Sequence, residues 1–561
     1  MSDVKTILFG AGMAGRLSIG YASMKNIELD CIIDNNPAKW GTEYHGLKVH
    51  PPDYLKTLQP GSFEVIISIS KIVQNEVIDQ LLSMGLTYGK DFILYREKFF
   101  AGESVKCAQP GHIDLDSEYT LVKPITDCIL VADKEHNYIY RAVVPEKQEN
   151  MRVVHERICR SGEELLKSIV PARMVDSAIL NNITPLVFRH DFISPISYAW
   201  EWPPMMFRDY VLFMIDFISA LDVAGLGLDD AYPVNATFYG GRFVYVDYTG
   251  ICPDKPPLSI MQFFIELNIN PLILITKSPK KGYMYLNSPC ILKYEDLVGY
   301  LDASEQSEYL DMQHNCLDLA QQGRIVEFCD LLKKYVESIS NHFKSLTDWS
   351  DYQEPLFKAM YDESLWTNKP KNVIKMIRET NAKTMLDLAG NMGWYSIIMS
   401  KELDYAISVD ADAGISDCAY EMTKKFQTTN VLVAYFDLIT FRLYPPHSIL
   451  RCDRLRCDIV LALALVHHLT LIQGLSFEKM TEVLALYTNK YMIIEFADRD
   501  DEWVISLLKQ HYPFRTAWYT KERFEAALTK TFKIISTAPS DLDTRTLYLC
   551  EKRKVFRLIP K

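Results

Sequence analysis

The amino-acid sequence predicts an α/β protein with a doubly wound parallel sheet near each end and an α+β region between them. Strand-like apolar runs alternate with helix-like segments over residues 1–105 and again over 351–561. In both stretches the first strand is followed by a glycine-containing turn. The length of 561 residues fits about three domains better than one core. We therefore expect domains at 1–105, 106–350 and 351–561.

Composition and charge exclude several classes of protein. With 48% hydrophobic and 24% charged residues the chain is an ordinary globular protein, not a disordered or fibrous one. A formal charge of -12 repels a phosphate backbone, so no nucleic-acid partner is expected. Twelve cysteines without a CxxC pair indicate reduced thiols in a cytoplasmic protein and no zinc site.

The sequence indicates neither a signal peptide nor an integral membrane segment. The N-terminus, MSDVKTILFGAGMAG, has no basic region before an apolar core. The longest apolar candidate, Val211–Leu228, carries Asp216 and Asp222, and two carboxylates in a bilayer are costly. We expect a buried helix there. Homo-oligomerisation is left open.

The N-terminal stretch carries a G-x-G-x-x-G turn directly after its first strand. Gly10, Gly12 and Gly15 form this turn, and Asp34 ends the second strand. Such a turn admits a pyrophosphate to helix amides, while Asp34 would accept ribose hydroxyls and favour NAD over NADP. The run IIDNNPAKWGTEYHGLKVH resembles small Rossmann-like domains attached to enzymes of nucleotide-sugar and surface-polysaccharide assembly. Nucleotide or nucleotide-sugar binding, a structural or docking role, and NAD-dependent redox chemistry all stay open.

The middle region contains residues spaced like a kinase catalytic loop. Asp230 precedes Asn235 by five residues, and Asp247 follows on a strand-like run. In a kinase Asp230 would be the base, while Asn235 and Asp247 would hold Mg²⁺ for ATP. No glycine-rich phosphate loop or V-A-I-K lysine occurs between 106 and 200. An active kinase, a degenerate kinase-like fold and an unrelated turn-and-strand structure are the three interpretations.

The C-terminal stretch has seven strand candidates, which predict five parallel crossovers and a closing pair. They are TMLDLAG, YAISVDAD, VLVAYFD, CDIVLALALV, YMIIEF, FKIIST and TLYLCE. Because open α/β sheets bind ligands at the carboxyl ends of their strands, the residues at those ends are site candidates.

Small residues follow the first of these strands, and acids end the next two. Asp387 precedes a turn through Ala389, Gly390, Asn391 and Gly393, where the backbone can approach a ligand closely. Asp410 ends the second strand and is the candidate acceptor for both ribose hydroxyls. Phe436 and Asp437 end the third and would lie beside an adenine.

These residues resemble the class I S-adenosylmethionine-dependent methyltransferases, and more closely the nodulation and polysaccharide-associated subgroup. The resemblance rests on LDLAGNMGWYS, SVDAD, DIVLALALVHHL and IIEF in that order. It implies a seven-stranded Rossmann-like sheet, Asp387 and the turn around the methionine part, Asp410 on the ribose and Asp437 near adenine. Ala389 and Asn391 replace glycines of the usual turn; alanine adds only a methyl, and asparagine tolerates a positive φ.

Three further residues are candidates for catalysis. His467 and His468 follow an eight-residue apolar run, so one ring is expected in the core and the other at the pocket mouth. The latter would deprotonate a sugar hydroxyl, unless both histidines are structural. Glu495, at the end of the fifth strand, is either a substrate ligand or a salt-bridged wall residue.

The sequence thus predicts methyl transfer from S-adenosylmethionine to an oxygen of a carbohydrate or nucleotide-sugar, in surface polysaccharide or glycolipid biosynthesis. Two alternatives belong to other classes. A bifunctional kinase-methyltransferase would bind ATP and Mg²⁺ around Asp230, whereas a nucleotide-sugar-binding scaffold with inactive catalytic domains would not bind S-adenosylmethionine.

Overall fold

The computed structural model describes most of the chain. It covers residues 4–11, 18–19, 22, 27–59, 61–69, 71–94, 119–124, 128–133, 135–176, 180, 184–286, 291–339, 353–438, 451–509 and 516–553, with the backbone alone at 71–76 and 119–124. The chain divides into two compact units. One comprises Met1–Glu135, Tyr140–Val144 and Val175–Val187, and the other His136–Ile139, Pro145–Met174 and Phe188–Lys561. The expected boundaries near 105 and 350 lie outside the described residues and stay predictions.

The described N-terminal strands form a six-stranded sheet in the order β3-β4-β2-β1-β5-β6. The strands are β1 Lys5–Phe9, β2 Cys31–Ile33, β3 Glu43–Tyr44, β4 Leu47–His50, β5 Phe63–Ile67 and β6 Phe92–Leu94. All pairs are parallel except β3 with β4. The helix Lys71–Ser83 joins β5 to β6. β1 and β5 are buried because both faces of the sheet are covered, as expected for parallel strands.

The region that follows is mixed. Its strands β7 Tyr119–Pro124, β8 Cys128–Asp133, β9 Tyr138–Val143, β10 Arg173–Met174 and β11 Val187–Asp191 form a sheet in the order β10-β11-β9-β8-β7. The helices Gln148–Cys159 and Glu163–Ser168 lie between β9 and β10 in the chain. The described pairs β7 with β8 and β10 with β11 are antiparallel, as an α+β region requires.

A long helix and four short strands precede the C-terminal sheet. The helix Pro204–Val223 is largely buried, but it ends before the predicted 228, and Asp216 reaches solvent to pair with Lys333 at 2.7 Å. The strands are β12 Gly227–Leu228, β13 Ala236–Tyr239, β14 Arg242–Tyr245 and β15 Ile251–Cys252; β13 and β14 form a hairpin, and β12 pairs with β15.

A second apolar helix, Leu258–Lys277, was not predicted from the sequence. Among the described residues, Leu258–Lys277 alone is long and apolar enough to cross a bilayer, with a mean hydropathy of 1.6, and 72% of that stretch is buried inside the protein. Its buried Asn268 and Asn270 receive hydrogen bonds from Tyr210 and Tyr309. Because these amides are paired within the protein, the helix has the properties of a core helix.

The remaining helices of this unit flank these strands and the C-terminal sheet. They are Pro279–Leu286, Tyr294–Leu297, Ala303–Gln321, Ile325–Ile339, Glu354–Lys358, Asn368–Thr380, Trp394–Met399, Ala413–Lys425, Arg451–Arg454, Phe477–Tyr487, Glu502–Lys509 and Lys521–Thr531.

The described C-terminal strands form a seven-stranded sheet in the order β18-β17-β16-β19-β20-β22-β21. The strands are β16 Thr384–Leu388, β17 Tyr405–Asp410, β18 Val431–Tyr435, β19 Cys457–Ala462, β20 Thr488–Ala497, β21 Phe532–Pro539 and β22 Arg545–Lys552. The first five are parallel, and β22 is antiparallel to both β20 and β21. The closing antiparallel pair is observed as predicted, but the five parallel strands are joined by four crossovers rather than the predicted five. This order brings the ends of β16, β17 and β18 to one edge of the sheet.

Candidate functional site

The turn after β16 has the backbone conformation that a close-fitting ligand loop needs. Ala389, Asn391 and Gly393 have φ angles of +55°, +51° and +79°. The left-handed region costs a non-glycine residue about 1–2 kcal/mol, and asparagine bears it better than most. The chain therefore keeps this turn without glycine at two of the three positions.

Gly390 is the position in this turn where a side chain cannot be added. A Cβ there would lie 2.5 Å from Ser408 Oγ and 3.0 Å from Asp387 Oδ2. The Asp387 carboxyl group therefore faces the turn from the end of β16. Gly390 N–H also donates to Val409 O at 2.9 Å, which fixes the turn against β17.

Asp387 is buried and incompletely paired. It is 1% exposed, and its Oδ2 has no hydrogen-bond partner within the described residues. Burial, reinforced by nearby Asp410, raises the pKa of Asp387 to about 8. An unpaired buried carboxyl oxygen is unfavourable, so a donor or cation arriving in this turn would be stabilised by it.

Asp410 holds the turn and keeps acceptor capacity. Its Oδ2 accepts the Asn391 N–H at 3.1 Å, and its Oδ1 accepts the Asp412 N–H at 3.0 Å. A carboxylate has about four acceptor positions, so acceptor capacity remains after these bonds. Burial raises the pKa of Asp410 to about 6, against the lowering effect of the backbone donors. This geometry matches the predicted ribose acceptor, whose role stays a prediction.

Gln353 is a further buried residue at this turn, and it was not predicted from the sequence. Its Nε2 donates to Gly390 O at 3.2 Å, and its Oε1 accepts the Trp394 N–H at 3.2 Å. The side chain thus joins the turn to the first turn of the helix Trp394–Met399. No local signal marks Gln353, which precedes β16 by more than thirty residues.

Phe436 lies at the end of β18, and one face of its ring is covered. The guanidinium carbon of Arg451 lies 4.0 Å from the ring centroid. The Phe436 N–H donates to Asp410 O at 3.1 Å, so the predicted adenine and ribose residues are backbone neighbours. Asp437 is partly exposed next to it. Arg451 was not predicted.

The two histidines lie in a helical turn that follows the end of β19, and which of them faces a substrate stays a prediction. β19 ends at Ala462, Ala464 has a φ of +51°, and His467 and His468 lie in a helical turn with ring centroids 4.6 Å apart. Burial lowers the pKa of His467 to about 3, and its Nδ1 is buried without a partner in the described part of the chain.

His468 differs from His467 in exposure. It is partly exposed, and burial followed by the Arg545 charge lowers its pKa. A more exposed imidazole is easier for a substrate to reach, so the geometry favours His468 over His467 as the base.

Glu495 has the geometry of a salt-bridged wall residue. Its Oε2 accepts from Lys369 Nζ and from the Ala464 N–H, both at 2.8 Å, and its Oε1 accepts from Ser540 Oγ at 2.5 Å. Although burial opposes it, the pKa of Glu495 is lowered by Lys369. Since the carboxylate is 1% exposed and already holds three donors, little acceptor capacity remains for a substrate.

The N-terminal turn is seen only in part. Gly10 has a φ of +120°, and a Cβ on it would lie 2.4 Å from Ser68 O. Gly12 and Gly15 lie outside the described residues. Asp34 Oδ2 accepts the Ala11 N–H at 2.7 Å and Lys39 Nζ at 3.1 Å. A ribose hydroxyl would compete with Lys39 for this oxygen, and nucleotide binding here stays a prediction.

The kinase-like residues lie on one loop and hairpin. Asn235 precedes β13, and its carbonyl accepts the Val246 N–H at 2.8 Å, one residue before Asp247. Asp230 Oδ1 accepts the Tyr232 N–H, and Asp247 Oδ1 accepts from Thr249 Oγ1. Asn235 and Asp247 are therefore brought together at the backbone level, while ATP and Mg²⁺ binding stay predictions. Within the described ranges no group of three or more histidine, cysteine or acidic residues is placed to hold a metal.

Known proteins that are similar to this chain include a nodulation protein and methyltransferases of solved structure. No protein-family model matches the chain. The chain is 24% identical over 434 residues to nodulation protein NoeA of Rhizobium meliloti (strain 1021), covering 70% of this chain and 89% of that protein.

Solved structures of methyltransferases match about a third of the chain. Magnesium protoporphyrin IX methyltransferase (ChlM) from Synechocystis PCC 6803 with bound SAH is 11% identical, with a TM-score of 0.26, over 37% of this chain and 90% of its own. N-methyltransferase NodS from Bradyrhizobium japonicum WM9 is 9% identical, with a TM-score of 0.25, over 33% and 96%. Matches this distant carry no information on substrate. Matches with TM-scores this low carry no argument, so the resemblance to S-adenosylmethionine-dependent methyltransferases, the acceptor and the roles of individual residues stay predictions.

Proposed function

We propose that this chain, which is similar to S-adenosylmethionine-dependent methyltransferases, transfers the methyl group of that cosubstrate to an oxygen of a carbohydrate in surface polysaccharide or glycolipid biosynthesis. The observation that carries the proposal is the unpaired, buried Oδ2 of Asp387, which faces a turn that admits no side chain at Gly390.

The residues at the carboxyl edge of the C-terminal sheet would contact S-adenosylmethionine along its whole length. Asp387 would pair with the amino group of the methionine part, which supplies the donor that its Oδ2 lacks. Asp410 would accept the ribose hydroxyls with its remaining acceptor capacity. Phe436, which is joined to Asp410 through the backbone, would lie against the adenine.

S-adenosylmethionine, when bound, supplies an electrophilic methyl group on a positively charged sulfur. His468 would accept the proton of the attacking sugar hydroxyl, so that the oxygen forms a bond to the methyl carbon as the carbon–sulfur bond breaks. Much of the acceleration of such a transfer comes from holding the two reactants in line. We therefore expect loss of His468 to cost less than loss of the cosubstrate contacts.

The carbohydrate acceptor rests on the resemblance to polysaccharide-associated methyltransferases and on the similarity to a protein named for nodulation. A neutral hydroxyl is a weak nucleophile at neutral pH, and the partly exposed histidine at the site gives it a proton acceptor.

Calorimetry with S-adenosylmethionine tests the proposal directly. Asp410→Ala removes two charge-assisted hydrogen bonds of roughly 1.5–3 kcal/mol each before compensation, so affinity is expected to fall at least tenfold. Asp404→Ala is the matched control because it changes an exposed aspartate at the other end of the same strand. Wild-type protein without measurable affinity would remove the proposal and favour the scaffold alternative.

A second activity, phosphoryl transfer from ATP, is favoured by the hairpin that brings Asn235 beside Asp247. If the middle region is a kinase, Asp247→Ala will abolish Mg²⁺-dependent ATP turnover and leave S-adenosylmethionine affinity unchanged. Absence of nucleotide binding by the wild-type chain would reject this second activity.

A further inference from the structure

A buried carboxylate from outside the C-terminal sheet holds two arginines next to the proposed adenine end. Glu201 is 0% exposed, and its Oε1 accepts from Arg451 Nε at 3.2 Å and from Arg454 Nη2. Its Oε2 accepts the Tyr198 N–H at 3.3 Å. We call Glu201, Arg451 and Arg454 the Glu201 cluster. Its guanidinium groups come from the helix Arg451–Arg454, more than two hundred residues further along the chain.

The Glu201 cluster reaches the end of β18 through Arg451. The guanidinium carbon of Arg451 stacks on the Phe436 ring at 4.0 Å from its centroid. Arginine is suited to this position because its planar group can stack on a ring while its N–H groups bind a carboxylate. Glu201 thus fixes the rotamer of Arg451, and Arg451 confines the ring of Phe436.

A second contact from the same region meets the neighbouring residue of β18. The ring of Tyr283 packs against that of Tyr435 at 4.8 Å between centroids, and the Tyr283 hydroxyl donates to Trp202 O, the residue after Glu201. Two independent series of contacts therefore connect residues 201–202 to the end of β18. They end at Phe436 and Tyr435, one and two residues before Asp437.

We infer that Glu201 is a positioning residue for the cosubstrate, through which the region before the C-terminal sheet completes the adenine end of the pocket. This inference rests on the proposed function. Glu201 touches neither the cosubstrate nor the reacting atoms; it acts through Arg451 on Phe436, and through the Phe436 backbone on the strand that carries Asp410.

Calorimetry on the full chain tests the inference with S-adenosylmethionine and with adenosine alone. Glu201→Gln is expected to lower the affinity for both ligands by the same factor, about tenfold, because the change acts at the adenine end of the pocket. Glu201→Asp is expected to restore part of the affinity. In a double-mutant cycle, Glu201→Gln and Phe436→Leu are expected to be non-additive, since both act on the same ring.

The matched control is Asp209→Asn. Asp209 accepts from Lys424 Nζ at 2.7 Å and from the Tyr420 hydroxyl at 3.1 Å, so it joins the same two regions without touching Phe436. The affinity of Asp209→Asn for both ligands is expected to stay within about twofold of the wild type, because Asp209 belongs neither to the Glu201 cluster nor to the proposed pocket. Unfolding temperatures of all variants separate loss of the fold from loss of the pocket.

The outcomes distinguish this inference from the proposed function. Wild-type protein that does not bind S-adenosylmethionine overturns both. Wild-type binding together with unchanged affinity in folded Glu201→Gln overturns the inference alone. If Glu201→Gln does not fold, Arg451→Lys decides the question, because lysine keeps the charge beside Glu201 but cannot stack as a plane; unchanged adenosine affinity in that variant overturns the inference.

Discussion

The two glycine turns of this chain share a design and differ in how their acids are paired. In the N-terminal unit Asp34 ends the second strand and forms an ion pair with Lys39. In the C-terminal sheet Asp410 ends the corresponding strand and accepts backbone N–H groups, and the neighbouring Asp387 Oδ2 has no hydrogen-bond partner among the described residues. The acid of the first turn is paired with a lysine, whereas the described residues give Asp387 Oδ2 at the second turn no hydrogen-bond donor.

This difference teaches that a glycine-turn motif predicts a backbone shape more reliably than a ligand. Each turn contains one glycine, Gly10 or Gly390, whose added Cβ would clash with neighbouring atoms, so packing alone accounts for that glycine in each motif. What distinguishes the turns is the electrostatic state of the adjacent carboxylates. A buried carboxyl group without a donor is the stronger indication of a ligand.

Substituting the clashing glycine in each turn gives the largest expected effect. Gly390→Ala places a Cβ 2.5 Å from Ser408 Oγ and 3.0 Å from Asp387 Oδ2. Overpacking of this kind costs about 1–3 kcal/mol, and here it displaces the cosubstrate turn, so we expect about a hundredfold loss of S-adenosylmethionine affinity. Gly10→Ala should destabilise the N-terminal unit and leave that affinity unchanged. Equal effects of both variants on affinity, measured by calorimetry, would contradict the comparison.

Asp387→Asn tests the unpaired carboxyl group through pH. The pKa of Asp387 is raised to about 8, so its contribution to folding is present below its ordinary pKa and is lost as pH rises through about 8. Asparagine cannot ionise, so the variant should lose less stability than the wild type between pH 4 and pH 8, as measured by thermal unfolding.

Cosubstrate binding is expected to follow the opposite trend. An ionised Asp387 pairs with an ammonium group, so wild-type affinity should rise as pH increases towards 8, while Asp387→Asn should bind weakly with little pH dependence. Asp417→Asn is the control, because burial also raises the pKa of Asp417 to about 8 but Asp417 accepts from the Met205 N–H, away from the turn. Calorimetry at several pH values would contradict the assignment if both variants behaved alike.

Lys39→Met gives the smallest expected effect and tests the N-terminal turn. The Lys39–Asp34 pair is partly exposed, and such pairs contribute up to about 1 kcal/mol. Removing the ammonium frees Asp34 Oδ2 for a ribose, so any affinity for NAD or a nucleotide-sugar should rise a few-fold. A fall in affinity would instead show that Lys39 holds a phosphate of the ligand.

The parallel C-terminal strands could be predicted because they are buried on both faces and so appear as continuous apolar runs. The same rule fails at His467 and His468. The apolar run continues past the end of β19 at Ala462 into a buried helical turn, and a buried helical turn is as apolar as a strand. The hydrophobic periodicity of so short a run cannot show where the strand ends and the helical turn begins.

The acids and small residues of the site could be predicted because they lie next to strand ends. Gln353, Lys369, Arg451 and Glu201 could not, because each reaches the site from a distant part of the chain. Their partners are defined by tertiary packing, and nothing in their own sequence neighbourhoods marks them. Glu495 could be predicted as a site candidate because it lies at the end of a strand, but only the structure shows that it is paired with Lys369.

The Glu201 cluster also limits how this protein can be divided for study. A truncated chain beginning near residue 350 would retain Arg451 and Arg454 but lose the carboxylate between them. Removing one partner of a buried ion pair costs about 3–5 kcal/mol where the remaining charge stays buried, which is a large part of the 5–15 kcal/mol that stabilises a typical protein. We therefore expect the isolated C-terminal segment to fold poorly, so that a failed expression trial would reflect the missing half of an ion cluster rather than an incorrect choice of domain ends.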